Sequence, residues 1–359
     1  MRLVDINGRF LTQATTGVQR VAEELVRALD HELDASAELR NRYSFRVVAP
    51  AGERRRIDLN HIRTVELGRL RGQQWEQLEL PAYTGGRLLL NLCNTAPVGI
   101  RSIVVIHDAS VFAVPQAYSP AFRSWYRILL PLLGRRALRV ITVSRFSREE
   151  LSRRAGIPDD KLDIIPLGAD HLLRSPTDKE VFHRLPVEPG RYILAVGSRS
   201  PHKNLGALVA AVAALGVKHL PLVLAGGTNA RVFASSAPNE SSYDAGYVTD
   251  GELRALYEKA LCFVYPSLYE GFGLPPLEAM LCGCPALVSR AGALPEVCGS
   301  GARYCNPRDS DDIARGIREI VAEPGRREQQ VRAGAARARE FTWRRSVQEL
   351  ISILDRTSA

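Results

Sequence analysis

The sequence lacks the features that mark several large classes of protein. It has no apolar run of about 18 residues, so we expect no transmembrane helix. Its first residues, MRLVDINGRF, contain no apolar signal-peptide core, so we expect a cytoplasmic protein whose six cysteines are free thiols. Cys282 and Cys284 have no second cysteine pair at zinc spacing, which argues against a metal site. A G-x-G-x-x-G fingerprint and a Walker A loop are also absent.

The charge balance is basic and suits a negatively charged partner. The 359 residues include 48 lysines and arginines against 39 acidic residues, a net charge of +9 with most of the excess in the first half. A phosphorylated substrate, an acidic membrane surface or nucleic acid would be a suitable partner. The alternative is a basic soluble enzyme that binds no such partner. No recognition helix, RNA-binding motif or zinc spacing supports a nucleic-acid-binding module, which is the non-enzymatic alternative.

Strand-like apolar runs alternate with helical patterns, which predicts an α/β fold with parallel sheets covered by helices. We expect helices over 17–30, 119–138, 203–215 and 251–260, and an interruption of the second at Pro131. We expect strands over 43–50, 87–93, 102–108, 139–144, 163–166, 191–196, 221–225, 261–265 and 286–289.

The length and one weakly patterned segment predict two domains. Residues 171–190 contain three prolines and little periodicity, and we interpret them as a linker or a peripheral helix. They would separate an N-terminal domain of residues 1–170 from a C-terminal domain of residues 191–340. Two doubly wound domains of this kind would present the carboxyl ends of their strands to a shared cleft, where ligands bind.

Two junctions in the first half carry residues suited to a polar ligand. Thr16 and Gly17 precede a helix, and N–H groups at a helix N-terminus attract phosphate, although such a start is more often structural. His107 and Asp108 end an expected strand, at the edge where α/β enzymes place functional groups. His107 could donate to a sugar hydroxyl, or Asp108 could cap a turn beside an incidental histidine.

A cationic loop lies at an expected strand–helix junction in the second half. Arg199, His202 and Lys203 stand between the end of a strand and the start of a helix. Their charge and the helix dipole together suit a diphosphate, whereas a solvated surface loop is the alternative.

The segment YPSLYEGFGLPPLEAM, residues 265–280, places Glu270 in a loop and Glu278 near the start of a helix. Carboxylates there can accept hydrogen bonds from the vicinal hydroxyls of a sugar or ribose. A glycosidase-type acid/base pair is a second interpretation. Stabilisation of the helix N-terminus by Glu278 is a third.

Together these segments resemble the retaining nucleotide-sugar glycosyltransferases of the GT-B architecture, family 4, across nearly the whole chain. Glu270 and Glu278 match the family's Glu-x7-Glu motif within GYVTDGELRALYEKALCFVYPSLYEGFGLPPLEAM. IHDASVFAVPQAYSP, RVITVSRFSREEL and IIPLGAD are similar to its N-terminal signatures. FTWRRSVQELISIL resembles the helix that returns to the first domain, so we expect residues 341–359 to form that helix.

The resemblance implies separate roles for the site residues. Glu278 would hold the ribose hydroxyls, Glu270 the hydroxyls of the donor sugar, and Lys203 the diphosphate. His107 would reach the transferred sugar, which makes His107, Glu270 and Lys203 the expected catalytic set. The other expected donor-binding residues are Thr16 and Gly17 at the distal phosphate, Gly246, Tyr247 and Val248 at the base, Gly271, Phe272, Gly273 and Leu274 at the sugar and diphosphate, and Arg199.

The sequence departs from the family pattern at two positions. Thr16 stands where the family often has a glycine, and His202 stands where it often has an arginine before the phosphate-binding lysine. Arg199 lies in the same loop as Lys203, so we expect it to supply the missing guanidinium.

The implied reaction transfers a hexose with retention at the anomeric carbon, in cell-surface polysaccharide synthesis. We expect mannose or a related sugar from a GDP-sugar, and a saccharide or polyprenyl-diphosphate-linked acceptor. UDP- and dTDP-sugars stay open as donors, and a GT-B-like epimerase or phosphorylase is the rival enzyme class. The leaving diphosphate would take the acceptor's proton, so no protein base is expected. The resemblance to GT-B enzymes also implies that no metal or cofactor is needed. The Asp-x-Asp at Asp309 and Asp311 is interpreted as a helix cap.

Two basic segments of the first domain suggest contacts with an acceptor or a membrane. FRSWYRILLPLLGRRALR mixes aromatic, apolar and arginine residues. We interpret it first as a helix whose apolar side packs in the domain, and contact with an anionic surface at the inner face of the cytoplasmic membrane is the alternative. GERRR (52–56), with Arg63, Arg69 and Arg71, could meet a diphosphate headgroup or could simply be solvated.

Overall fold

The computed structural model describes residues 1–52, 54–216, 220–227 and 242–358, which divide into two compact units. Unit 1 comprises Met1–Gly168 and Trp343–Ala359, and unit 2 comprises Ala169–Thr342. The segment 171–190, interpreted above as a linker, lies within unit 2. Almost all of the expected C-terminal helix, residues 343–359, lies within unit 1.

Unit 1 contains one parallel sheet and its covering helices. Its strands are β1 (Arg2–Asn7), β2 (Tyr43–Pro50), β3 (Arg63–Leu67), β4 (Leu88–Asn91), β5 (Ile103–Val105), β6 (Arg139–Thr142) and β7 (Leu162–Ile164). Their order across the described sheet is β3-β2-β1-β4-β5-β6-β7. Its α-helices are α1 (Gly17–Ala35), α2 (Ala37–Arg42), α3 (Gly72–Gln74), α4 (Leu80–Thr84), α5 (Ser110–Ala113), α6 (Pro120–Arg136), α7 (Arg145–Ala155) and, from the end of the chain, α15 (Trp343–Ser358).

Unit 2 repeats this architecture with a second parallel sheet. Its strands are β8 (Ile193–Val196), β9 (Leu222–Ala225), β10 (Ser242–Gly246), β11 (Cys262–Tyr265), β12 (Ala286–Ser289) and β13 (Arg303–Cys305). Their order across the described sheet is β10-β9-β8-β11-β12-β13. Its α-helices are α8 (Val181–Arg184), α9 (Leu205–Ala214), α10 (Asp250–Lys259), α11 (Leu274–Leu281), α12 (Leu294–Cys298), α13 (Ser310–Ala322) and α14 (Pro324–Ala338).

Each unit is held together by apolar side chains between its sheet and its helices. In unit 1, α1 buries Val21, Leu25 and Leu29 at helical spacing and packs against α15. In unit 2, the strands contribute fully buried residues such as Val264 and Leu287 to a core shared with α9 and α13. Strands buried on both faces are expected of parallel sheets covered on both sides. The predicted fold class, two doubly wound parallel-sheet domains, is confirmed.

The expected strands are confirmed in position, although most are shorter than their apolar runs, and four strands were missed. Strand β1 was missed because it carries Asp5, whose buried carboxylate accepts hydrogen bonds from Arg46 Nη2 at 2.7 Å and Arg87 Nε at 2.9 Å. β3 was missed because it is a polar, partly exposed edge strand, and β10 and β13 are short and polar.

Two helix predictions have opposite outcomes. The expected interruption at Pro131 is wrong, because α6 continues through it while Leu129, Leu130 and Leu133 pack into the core. The helix-cap interpretation of Asp309 is confirmed, since its carboxylate accepts the Asp311 N–H at 3.0 Å. Among the helices of the described residues, none combines the length and the apolar character needed to span a bilayer.

Candidate active site

The predicted cation and the first predicted glutamate meet at the topological switch point of the unit 2 sheet. The strand order reverses between β8 and β11, and ligands of open α/β sheets bind beyond the carboxyl ends of such strands. Lys203 follows β8, and its Nζ donates to Glu270 Oε1 at 2.7 Å and to the hydroxyl of Tyr265 at 2.7 Å. Tyr265 ends β11 and was not singled out from the sequence.

Lys203 is a partly buried cation that its partners keep protonated. Burial lowers the pKa of Lys203, but the Glu270 carboxylate and Tyr265 outweigh that effect, so the net pKa is raised. Burial and the Glu270 charge raise the pKa of Tyr265, which keeps its hydroxyl neutral. The cluster therefore offers a fixed positive charge, a carboxylate and a hydroxyl within one small region.

Glu270 is positioned by close backbone packing rather than by its side chain alone. Its carbonyl accepts the Ala293 N–H at 2.9 Å. Gly292 has a φ of +60°, and a Cβ built there would lie 2.3 Å from the Glu270 carbonyl oxygen. Only glycine permits this approach, so the loop before α12 fixes the Glu270 backbone.

Glu278 lies in the second turn of α11, is buried, and has two partners of its own. Tyr257 donates its hydroxyl to Glu278 Oε2 at 3.1 Å, and His171 Nε2 lies 3.3 Å from Oε1. Both partners are absent from the sequence prediction, and His171 falls in the segment interpreted as a linker. Its position directly after the IIPLGAD signature was the available signal.

The backbone between the two glutamates offers donors to an anion. Within the described residues, the N–H groups of Phe272, Gly273 and Leu274 have no hydrogen-bond acceptor. Gly273 has a φ of +104°, and a Cβ built there would lie 2.5 Å from Leu294 Cδ2. Three successive N–H groups at the start of α11 suit phosphate oxygens. The Phe272 ring packs edge-on against Phe341, with 5.8 Å between centroids, so its side chain is structural.

Arg199 forms an ion pair close to Gly246, in the segment predicted to contact the base. Its buried guanidinium donates to Asp244 Oδ1 at 2.5 Å, and the same carboxylate accepts the Gly246 N–H at 2.9 Å. Burial lowers the pKa of Arg199, and Asp244 opposes that effect. Tyr247 is exposed and Val248 partly buried. The structure thus places Arg199 beside Gly246, and its predicted contact with the diphosphate stays a prediction.

His107 is buried in unit 1, beyond the end of β5 rather than within a strand. Its Nε2 lies 3.1 Å from the Leu92 carbonyl, which can only accept, so Nε2 carries the proton. Its backbone N–H donates to Asn94 Oδ1 at 2.7 Å. Burial lowers the pKa of His107, against opposing contributions from Leu92 and Asp108. The neutral ring therefore presents Nδ1 as an acceptor, which differs from the donor role suggested by the sequence.

Thr16 and Gly17 lie where the sequence predicts, at the start of α1. Both are exposed, and the Gln19 side-chain oxygen accepts the Thr16 N–H at 3.2 Å. No heavy atom lies within 4 Å of a Cβ built on Gly17. Their predicted phosphate contact stays a prediction. Among the described residues, no group of three or more His, Cys, Asp or Glu side chains is arranged to hold a metal ion.

Comparisons with known proteins match both halves of the chain. The model described as glycosyltransferase family 4 matches residues 15–171, and that of glycosyl transferases group 1 matches residues 177–337. The chain is 34% identical over 266 residues to the O-antigen chain mannosyltransferase B of Escherichia coli, covering 70% of this chain and 69% of that protein. It is 29% identical over 288 residues to the MMP alpha-(1->4)-mannosyltransferase of Mycolicibacterium hassiacum, covering 75% and 68%. The fold resembles Anabaena Alr3699/HepE, solved in complex with UDP-glucose, with a TM-score of 0.74, 17% identity and 99% coverage of both chains.

Proposed function

The chain belongs to the family 4 glycosyltransferases of the GT-B fold, and from that premise we propose that it is a retaining mannosyltransferase. The proposed donor is GDP-mannose, and the proposed acceptor is a saccharide or lipid-linked saccharide of cell-surface polysaccharide synthesis. Support for the sugar and the acceptor comes from the names of the two relatives, both mannosyltransferases and one acting on an O-antigen chain.

The observation that carries the proposal is the cluster at the switch point of unit 2. Lys203, held by Glu270 and Tyr265, supplies one partly buried positive charge. The N–H groups of Phe272, Gly273 and Leu274 supply uncharged donors in addition. Both features suit a diphosphate, and the Glu270 and Glu278 carboxylates suit sugar and ribose hydroxyls.

In the proposed reaction, the bond between the anomeric carbon and the diphosphate oxygen breaks while the acceptor oxygen bonds that carbon on the same face. The acceptor's proton passes to the departing diphosphate, so the products are a glycoside and a nucleoside diphosphate. Lys203 and the N–H groups at the start of α11 would stabilise the negative charge that builds on the leaving group. No protein base, metal ion or cofactor is assigned a step, and we expect EDTA to leave turnover unchanged.

A nucleotide panel tests the donor site. We expect at least one of GDP, UDP, dTDP and ADP to raise the melting temperature, since a ligand that binds the native state stabilises it. Glu278→Ala should abolish that shift. Glu328→Ala removes an exposed carboxylate of the same unit and should preserve it, which makes it the matched control. If no nucleotide shifts the melting curve of the wild-type chain, the donor-site proposal fails.

A UDP-sugar is the second candidate donor. HepE, which shares the fold, was solved with UDP-glucose, although identity at this level concerns the fold alone. Incubation with GDP-mannose, UDP-glucose or a dTDP-sugar, followed by measurement of the released nucleotide, separates the candidates. Faster turnover of UDP-glucose than of GDP-mannose would reject GDP-mannose as the proposed donor. The assignment of the chain as a glycosyltransferase would stand. The anomeric configuration of the isolated product tests retention.

We also propose that α6 contacts an anionic membrane. Phe122, Trp125 and Ile128 lie three residues apart on α6 and are 41%, 40% and 66% exposed, and arginines flank them. An exposed apolar face beside cations suits an interface between lipid and water. Trp125→Ser with Ile128→Ser should reduce sedimentation with anionic vesicles. Leu78→Ser, at a residue 63% exposed elsewhere in unit 1, should not. Unchanged sedimentation of the double variant would reject the contact.

A further inference from the structure

Unit 1 contains a basic cavity whose residues are outside the predicted donor site. The cavity lies at the carboxyl ends of β1 and β2 and has a volume of about 670 Å³. That volume lies within the range of small-molecule sites. Arg9, Arg54, Arg55 and Arg71 line it, and none of its lining residues that the structure describes is acidic.

Arg9 is a fixed, buried member of this cavity. Its Nη2 donates to Thr95 Oγ1 at 2.7 Å, and its Nε lies 3.3 Å from Glu76 Oε1. The same Glu76 oxygen also accepts hydrogen bonds from Asn7 at 2.7 Å and Thr95 at 2.9 Å. With the Gln73 amide oriented to satisfy its neighbours, its oxygen also accepts from Arg9 Nη1 at 3.0 Å. Glu76, Thr95 and Gln73 therefore hold the Arg9 guanidinium in a fixed position at the wall of the cavity.

Arg55 is also held in place, and it has an unused donor. Its Nη2 donates to the Phe10 carbonyl at 3.0 Å, and its Nη1 pairs with Glu23 Oε2 at 2.5 Å. Its Nε is buried and has no hydrogen-bond partner among the described residues. Buried N–H groups are normally paired, so the Arg55 guanidinium keeps unused hydrogen-bonding capacity at the wall of the cavity.

The remaining two arginines leave the cavity with excess positive charge. Arg54 pairs with Glu66 at 2.6 Å, whereas the exposed Arg71 has no ionic partner among the described residues. Within the part of the chain that the structure describes, three carboxylates pair with these four arginines, and one of them, Glu23, also pairs with Arg27. Glu53, in the same loop as Arg54, lies outside the described residues. Planar guanidinium groups bind phosphate oxygens in bidentate fashion, which suits a diphosphate better than a single charge.

We propose that this cavity binds the phosphate or diphosphate group of the acceptor. The inference rests on the proposed function, because that function requires an acceptor besides the donor. None of the residues that line the cavity belongs to the predicted donor-binding set. Two sources of the group share this chemistry: a lipid-linked diphosphate and a soluble sugar phosphate.

Calorimetric titration of the full chain tests the site. Inorganic pyrophosphate is the first probe, with the best-binding nucleoside diphosphate present at saturation to fill the donor site. We expect Arg54→Gln with Arg71→Gln to weaken pyrophosphate binding at least about tenfold, since charge-assisted bonds are the strong ones. Arg153→Gln, at an exposed arginine of α7 that does not line the cavity, should leave pyrophosphate binding unchanged and is the matched control. Equal binding by wild type and the double variant, or an equal loss in the control, would overturn the proposal.

Two further titrations identify the source of the phosphate group. Tighter binding of farnesyl diphosphate than of pyrophosphate would support a lipid-linked acceptor, and tighter binding of mannose 6-phosphate would support a soluble one. Arg55→Gln provides an independent variant in the same cavity, with its melting temperature recorded because it also loses the Glu23 pair. The nucleotide panel on the wild-type chain tests the proposed function separately. A chain that binds a nucleotide but gives no arginine-dependent pyrophosphate binding would reject this inference alone.

Discussion

Lys203 Nζ lies 2.7 Å from Glu270 Oε1, so the predicted diphosphate cation and the predicted sugar carboxylate form one ion pair. An ammonium group has three N–H donors, and Glu270 and Tyr265 use two of them. One donor is then left for a phosphate oxygen. The two residues therefore act together, and changing either should alter the contribution of the other.

A double-mutant cycle should reveal this coupling. Lys203→Met leaves the Glu270 carboxylate buried without its cation, which should cost about 3–5 kcal/mol of unfolding free energy. Adding Glu270→Gln removes the orphaned charge and should recover part of that loss, with a coupling of about 1–3 kcal/mol. Urea unfolding of the wild type, both single variants and the double variant measures the cycle. Strictly additive losses would contradict a functional pair.

His171 and Tyr257 should matter for nucleotide binding through Glu278. Tyr257→Phe removes the hydroxyl that donates to Glu278 Oε2, and His171→Ala removes the neighbour of Oε1. Each loss frees the carboxylate to leave its position, so we expect nucleotide affinity to fall about fivefold to tenfold, the value of one net hydrogen bond. Calorimetric titration measures it. His183→Ala, at an exposed histidine of α8, is the control and should bind normally. Unchanged affinity in both site variants would reject this positioning role.

The sequence predicts which residues are candidates for the site, but it does not predict the contacts among them. Glu270 and Glu278 are predicted from their spacing around a glycine-rich loop, and Lys203 from a cationic loop before a helix, because both patterns are visible along the chain. The Lys203–Glu270 pair was not, because it joins residues 67 positions apart through the adjacency of β8 and β11. The contact of His171 with Glu278 was missed for the same reason, since the two residues are far apart in the chain; the position of His171 directly after IIPLGAD was an available local signal. Similarly, β1 was missed because the partners of its buried Asp5 are far away in the sequence: Arg46 in β2 and Arg87, which directly precedes β4.

Gly273 should not tolerate a side chain. Its φ of +104° is unfavourable for alanine, and the added Cβ would meet Leu294 Cδ2 at 2.5 Å. We expect Gly273→Ala to destabilise the chain by about 1–3 kcal/mol and to weaken nucleotide binding by moving the N–H groups of Phe272 and Leu274. Gly206 in α9 has open space around it, so Gly206→Ala should stabilise by up to about 1 kcal/mol. Thermal unfolding with and without nucleotide measures both. Equal behaviour of the two variants would reject the constraint at Gly273.

His107 should make stability depend on pH in a defined direction. Burial lowers the pKa of His107 in the native state, whereas an unfolded histidine titrates near about 6.5. Below that pH the unfolded chain binds a proton that the native chain excludes, so this residue lowers stability as pH falls from about 7 to 5, by at most about 1.4 kcal/mol per pH unit. His107→Gln keeps a donor for the Leu92 carbonyl but does not titrate, so its unfolding free energy should fall less steeply over this range. Urea unfolding at several pH values measures the slopes, with His31→Gln, at an exposed histidine of α1, as the control. A slope for His107→Gln equal to that of the wild type would show that the buried ring accepts its proton as readily as an unfolded one.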